Sequence, residues 1–130
     1  MSPPASRSDR GRAAHRLGRL AEGWCRVWLL LKGYKILACR HRARRGSGAG
    51  EIDIVARRGD LVAFVEVKAR ATRSLAAEAV TAAQRRRLMR GADAFLAGRP
   101  DLADCRIRFD VMLVARWRWP CHLADAWRVP

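Results

Sequence analysis

Three ionisable residues, Asp53, Glu66 and Lys68, carry the strongest chemical signal in the sequence. Asp53 lies in an apolar run over residues 52–56, and Glu66 lies in a second run over 61–67, with Lys68 just past it. Arg58, Gly59 and Asp60 separate the two runs, and a Gly-Asp pair between β-type segments signals a type II′ hairpin turn. With Gly59 and Asp60 at the turn, the register sets Val55 opposite Phe64, Asp53 opposite Glu66 and Glu51 opposite Lys68. The two-residue strand period then gathers all six on one face. Carboxylates directly across an antiparallel pair have Cβ atoms about 4.5–5.5 Å apart and repel each other. A hard divalent cation relieves that repulsion best, because Mg²⁺ binds through one or two carboxylates, keeps several waters and fills its shell with phosphate oxygens. Lys68 could orient or deprotonate a water there, or stabilise charge developing on the phosphate. The chemistry is metal-assisted phosphodiester hydrolysis. The pattern also fits an ordinary strand with one solvated face, in which Glu51 and Lys68 form a cross-strand ion pair.

Several elements must position this hairpin. Its second face carries Ile52, Ile54, Ala56, Ala63, Val65 and Val67 and is expected to be the core face. Over residues 13–32, Leu17, Leu20, Ala21, Trp24, Val27, Trp28 and Leu31 follow the spacing of an amphipathic helix, and Gly33 is its expected C′ stop. A short first strand follows over 34–39. A second helix is predicted over 75–97, with Val80, Gln84, Leu88, Gly91, Ala92, Phe95 and Leu96 sharing one face. Gln84 is a polar residue inside that stripe, so it should approach a polar site or lie at the edge of the packed surface. Arg85, Arg86, Arg87 and Arg90 should fan over the exposed side. A final strand over 106–115 has two largely apolar faces from Phe109 onward, which makes it internal to the sheet. Asp110 within it is read as structural and in need of a partner, with an arginine the obvious candidate. In the tail 116–130, Trp117, Trp119 and Trp127 could stack on unpaired bases, although Trp127 is expected to close over the core. The order helix, three strands, helix, strand gives an α/β fold with a mixed sheet.

Composition agrees with one compact unit. The chain has 130 residues, half of them apolar, enough for a real core. Lys and Arg number 27 against 12 Asp and Glu, for a net charge of +15 and a pI near 11.5. That excess points to a polyanionic partner, nucleic acid before a membrane surface, because the arginines recur in nearly every segment. Some of the charge could equally be the arginine usage of a GC-rich source. The loop 40–50 combines Arg40, Arg42, Arg44 and Arg45 with three glycines immediately before the hairpin, where guanidinium groups could hold flanking phosphates; a mobile solvated loop is the alternative. Residues 1–12 read as a disordered basic tail and 13–130 as a single domain. The longest apolar run, 27–31, is far too short to span a bilayer, so a cytoplasmic protein with reduced thiols is expected. Cys25, Cys39, Cys105 and Cys121 lack zinc spacing. His15, His41 and His122 are isolated and read as surface or loop residues, His41 being the one nearest the hairpin.

An acidic residue on one strand followed by Glu-x-Lys on the next resembles the PD-(D/E)xK nuclease superfamily. The fuller string GEIDIVAR, then FVEVKAR and later RFDVMLV, resembles the YraN family of small bacterial proteins, which are similar to archaeal Holliday-junction resolvases. The resemblance runs from about Leu17 to Trp127. It implies a restriction-endonuclease-like core of order α-β-β-β-α-β and a nuclease ancestry, with Mg²⁺ or Mn²⁺ as cofactor and DNA, branched DNA included, as partner. Asp53 and Glu66 would bind metal, joined by the Val67 carbonyl, with Lys68 handling the water or phosphate. A helix-borne glutamate completes the metal site in similar nucleases, which raises Glu22; from spacing alone it is a solvated residue or the partner of Arg19 or Arg26. Similar proteins commonly carry a lysine where Gln84 stands, so Gln84 departs from the pattern but keeps a donor. Arg40, Arg42, Arg44, Arg45, Arg70, Arg85 and Arg86 are the expected nucleic-acid contacts. A non-enzymatic nucleic-acid-binding module that keeps the nuclease fold is the alternative. Symmetric cutting of two strands calls for a homodimer or two successive events, and no heptad or apolar edge identifies an interface.

Overall fold

The structure, a computed structural model, describes residues 20–42, 50–69, 80–115 and 119–128. The expected tail at 1–12, the start of the first helix, Arg44, Arg45, Arg70 and Trp117 lie outside the described residues. The first helix, α1, runs over described residues 20–31 and ends in a Schellman motif. Gly33 takes a positive φ of 89°, its N–H donates to the Leu30 carbonyl, and the Tyr34 N–H donates to the Leu29 carbonyl. The glycine stop read from the sequence is therefore present.

Five strands follow in one sheet of spatial order β1-β2-β3-β4-β5. They are β1 (Lys35–His41), β2 (Ile52–Arg58), β3 (Leu61–Ala69), β4 (Arg106–Val114) and β5 (Cys121–Trp127). All neighbours are antiparallel except β3 and β4, which are parallel and joined through helix α2 (Ala82–Ala97) and the 3₁₀ turn Pro100–Leu102. This is the expected mixed α/β architecture, with one addition. β5 falls in the tail, for which no strand is predicted, and it makes β4 internal by pairing its free edge. Trp127 does close the core: it is buried and stacks on Phe109 with ring centroids 5.2 Å apart.

One expectation about the hairpin changes. Both of its faces are buried, because each helix covers one side of the sheet. Cys25 and Leu29 of α1 pack with Tyr34, Ile54, Ala56, Ala63, Val65 and Met112. Leu88, Ala92 and Phe95 of α2 pack with Val55, Val62, Phe64, Phe109 and Trp127. Phe64 anchors the second layer, with Phe95 edge-on at 5.9 Å and Phe109 at 5.8 Å. Burying such a ring is worth about 1.5–3 kcal/mol, and each well-set aromatic pair adds about 0.5–1.5 kcal/mol.

Helix α2 is shorter than the predicted 75–97. Thr81 is its N-cap, and a complete capping box fixes the start: Thr81 Oγ1 accepts from the Gln84 N–H, and Gln84 Oε1 accepts from the Thr81 N–H. The same helix approaches the start of β2 closely. The Gly50 N–H donates to the Arg87 carbonyl at 3.0 Å, and a Cβ on Gly91 would stand 2.7 Å from the Gly50 oxygen. Only glycine allows this contact, which fixes the chain just ahead of Glu51 and Asp53.

Candidate metal centre

The β2–β3 ladder has the register read from the sequence: Arg58 faces Leu61, Val55 faces Phe64, and the last pair is Ile54 with Val65. Asp53 and Glu66 do not continue it as a backbone pair. Instead, Asp53 Oδ2 accepts from the Val67 N–H at 2.8 Å, so a side chain takes the position of the missing ladder bond. The strand is irregular at this level. Ile52 and Val55 share the α2-side core whereas Ile54 joins the α1 side, which a strict two-residue alternation forbids. Across the other edge of β2, Arg40 lies between the pairs Cys39–Ile54 and His41–Ile52, opposite Asp53, and takes a left-handed φ of 51°.

The carboxyl groups of Asp53 and Glu66 lie close enough to act on each other's ionisation. Burial pushes Asp53 up to about 8, aided by the charges of Glu66 and Glu22 and opposed by the Val67 N–H. Burial raises Glu66 as well, while Lys68 and the Asp53 contact pull it down. Lys68 Nζ stands 3.3 Å from Glu66 Oε1, and both side chains are about one-sixth exposed. Two acidic groups and an ammonium therefore meet where the sheet opens.

Glu22 reaches the same place from α1. It lines a recess of about 320 Å³ with Arg26, Cys39, Arg40, Asp53 and Ile54. Its partner is Arg40, at 2.6 Å, and not Arg26, which donates to Cys39 Sγ. Cys25 lies behind the recess, and burial with the charges of Asp53 and Glu22 pushes its thiol up to about 12, so it is an inert core thiol.

Other expectations fare differently. The cation against Glu51 is Arg42, at 3.5 Å, and Lys68 turns to Glu66. Gln84 spends its amide oxygen and backbone N–H on the capping box. Arg86 is exposed as expected, but Arg85 turns inward: its guanidinium lies 5.8 Å from the Trp127 ring and its Nε is buried without a hydrogen-bond partner. His41 belongs to β1, edge-on to Phe95 at 5.0 Å. His122 is neither surface nor loop: its side chain is 3% exposed and its Nε2 stands 2.6 Å from Asp110 Oδ2. Asp110 is fully buried, and Arg108 supplies the expected arginine partner with two bonds of 2.7 Å. The alternation of Cys121, Leu123 and Trp127 with His122 was the available signal for both β5 and this histidine.

The residues present fit a divalent ion. Two largely buried carboxyl groups raise the cost of ionising both, a cost that a cation would relieve, and Glu22 lines the same recess as Asp53. Among the described residues no three Asp, Glu, His or Cys side chains are grouped so as to hold a metal ion, Glu22 with Asp53 and Glu66 included. An ion would thus rest on few carboxylates with waters and phosphate oxygens, the mode Mg²⁺ uses. Comparison with known proteins agrees with the sequence strings. A family model described as uncharacterised protein family UPF0102 matches residues 21–114. The chain belongs to this family, the one also called YraN. A UPF0102 protein of Paramagnetospirillum magneticum is 59% identical over 128 residues, covering 98% of each chain. One of Parvibaculum lavamentivorans is 48% identical over 131 residues, covering 98% of this chain and 96% of its own. One of Methylorubrum extorquens is 47% identical over 129 residues, covering 99% and 98%. The matched span holds Glu22, Arg40, Asp53, Glu66 and Lys68 and ends with β4.

Proposed function

We propose that this protein is a metal-dependent endonuclease of the PD-(D/E)xK type acting on DNA, branched DNA included. The observation that carries the reading is the meeting of Asp53 with Glu66, and of Glu66 with Lys68 at 3.3 Å, where the β2–β3 ladder stops. Asp53 and Glu66 would hold Mg²⁺ or Mn²⁺, with the Val67 carbonyl as a further ligand and Glu22 assisting. When bound, such an ion lowers the pKa of a coordinated water and neutralises phosphate charge. The Asp53 carboxylate is kept in line by the Val67 N–H, and Glu66 by Lys68. The Lys68 ammonium, held beside the acidic pair, can orient the attacking water or stabilise charge on the phosphate. The net charge of +15 supplies attraction to the polyanion, with Arg40, Arg42 and Arg86 the expected phosphate contacts that fall among the described residues. No helix among the described residues is long and apolar enough to cross a membrane. A cytoplasmic enzyme, cutting two strands as a homodimer or in two events, completes the reading.

One observation favours a second reading, a binding module that keeps the nuclease fold: Glu22 is already neutralised by Arg40 at 2.6 Å. Linear, nicked and four-way-junction DNA incubated with and without Mn²⁺ decides between them. An active nuclease cuts at least one substrate only with the ion, and Asp53→Ala abolishes cutting and Mn²⁺ binding together. Cleavage that survives Asp53→Ala overturns the assignment. Salt-sensitive DNA binding that is unaffected by Asp53→Ala or Glu66→Ala, without any cleavage, selects the binding module.

A further inference from the structure

Around the recess, three of the four acidic side chains already hold a cation from the chain itself. Glu66 has Lys68, Glu51 has Arg42 and Glu22 has Arg40, whereas Asp53 is held by the Val67 N–H. The three pairs are not alike. Arg42 is 79% exposed and stands 3.5 Å from Glu51, a loose surface contact. Lys68 and Glu66 sit two residues apart on one strand. Arg40 makes the shortest pair, at 2.6 Å, and it joins β1 to α1 across the mouth of the recess that Asp53 lines.

Arg40 also has an unusual backbone. Its φ of 51° lies in the left-handed region, which disfavours a residue that bears a side chain. Strain of this kind persists only where the surroundings over-determine it. Here the conformation occurs opposite Asp53, where β2 also loses its alternation, and the guanidinium ends against Glu22. The charges of Glu22, Glu51 and Asp53 all act on that one guanidinium.

The geometry points to Arg40 as a displaceable counter-cation: it occupies Glu22 in the ion-free protein and releases it when a divalent ion enters, freeing the guanidinium for a phosphate oxygen of the nucleic acid. The inference rests on the metal-dependent reading above and adds an exchange of partners to it. One positive group leaves the carboxylate as another arrives, so Glu22 is never left without a counter-charge. A guanidinium suits both partners, since its planar fork matches carboxylate and phosphate alike. Arg26 lines the same recess and donates to Cys39 Sγ; among the described residues it pairs with no carboxylate, and it serves as the matched control.

The test is a Mn²⁺ titration of the full chain without DNA, with free Mn²⁺ read by electron paramagnetic resonance. Arg40→Gln should tighten Mn²⁺ binding at least threefold, and Arg26→Gln, with the same loss of charge, should change it less. In a Glu22→Gln background the effect of Arg40→Gln should vanish. With Ca²⁺ in place of Mn²⁺, four-way-junction DNA should bind Arg40→Gln several-fold more weakly by fluorescence anisotropy. Arg40→Gly, which suits the left-handed backbone, should repeat the Mn²⁺ result if the glutamine variant folds poorly. Unchanged or weaker Mn²⁺ affinity in both Arg40 variants overturns the inference, as does tightening that persists without Glu22. If the wild type binds Mn²⁺ through Asp53 but the Arg40 variants match it, only this inference falls. If the wild type binds no Mn²⁺ that Asp53→Ala removes, the metal reading falls and takes the inference with it.

Discussion

The chain sinks two aspartates into its sheet, Asp53 on β2 and Asp110 on β4, and completes the surroundings of only one. Burial alone would raise Asp110, yet His122, Arg108 and the Asp125 N–H hold its carboxyl below the usual value. Both oxygens are occupied, by two Arg108 bonds, by His122 and by Asp125 at 2.9 Å. The shell extends outward, because Arg108 also donates to the Tyr34 hydroxyl and Lys32 Nζ lies 2.8 Å from His122 Nδ1. Asp53 has one backbone donor and a second carboxyl group, and its pKa rises to about 8. A carboxylate that its own chain has neutralised is there to hold strands together. One left beside another acid, in a recess open to solvent, is arranged for something the chain does not supply.

The largest effect should come from damaging the completed site. Asp110→Ala leaves the Arg108 guanidinium with no carboxylate and frees the peptide N–H of Asp125, which itself sits at a positive φ of 55° where β5 is irregular. Removing one partner of a buried pair costs about 3–5 kcal/mol. Urea unfolding should show that loss. A change below 1 kcal/mol would mean that Asp110 is not the fastening of β5 to β4 and that the two aspartates differ less than their contacts indicate.

A smaller effect connects the core to the open site. Gly91→Ala drives a Cβ to 2.7 Å from the Gly50 oxygen and 3.0 Å from Ile52 Cδ1. Overpacking of this kind costs about 1–3 kcal/mol and moves backbone. Because Gly50 and Ile52 flank Glu51 and lead into Asp53, Mn²⁺ affinity should fall along with the melting temperature. Loss of stability with unchanged Mn²⁺ binding would separate the α2 contact from the recess.

These two regions were not equally legible in the sequence. Asp53, Glu66 and Lys68 stood out because turn chemistry at Gly59-Asp60 fixes a register, and register brings distant residues together. Gly33 and the internal character of β4 were legible for similar local reasons. The arrangement around Asp53 was not, because it depends on a ladder that stops and on Arg40 in a left-handed backbone, neither of which alternation encodes. Gln84 inside an apolar stripe leaves two readings open, a polar site or the edge of the packed surface, and Thr81, three positions earlier, offers the capping box that decides between them. His122, isolated in sequence, reads as a surface or loop residue because a lone histidine shows no partner until β5 is paired with β4. Arg85 was placed on the solvent face by helical spacing, but a long side chain can fold back over an aromatic ring, as it does over Trp127.

The smallest effect has the opposite sign and sharpens the comparison most. Asp53→Asn removes a like charge beside Glu66 and should stabilise the ion-free protein at pH 8 by on the order of 1 kcal/mol, the scale of cross-strand charge pairs. The sign follows from linkage: the folded Asp53 carboxyl is raised from 3.8 to about 8, so the folded state holds a proton that the unfolded chain has released. Its contribution is fully present below about pH 4 and is lost as pH rises through 8, which Asp53→Asn should flatten. Asp110, held below its usual value, works in reverse, contributing above pH 4 and losing its effect as acid protonates it. Melts between pH 4 and 8 can therefore tell the two apart. Mn²⁺ adds a further discrimination, since it should raise the melting temperature of the wild type at pH 8 and leave Asp53→Asn unmoved. An Asp53→Asn protein that is less stable than wild type at pH 8 without metal would show that the carboxyl is satisfied as it stands, and that β2 needs no ion to complete it.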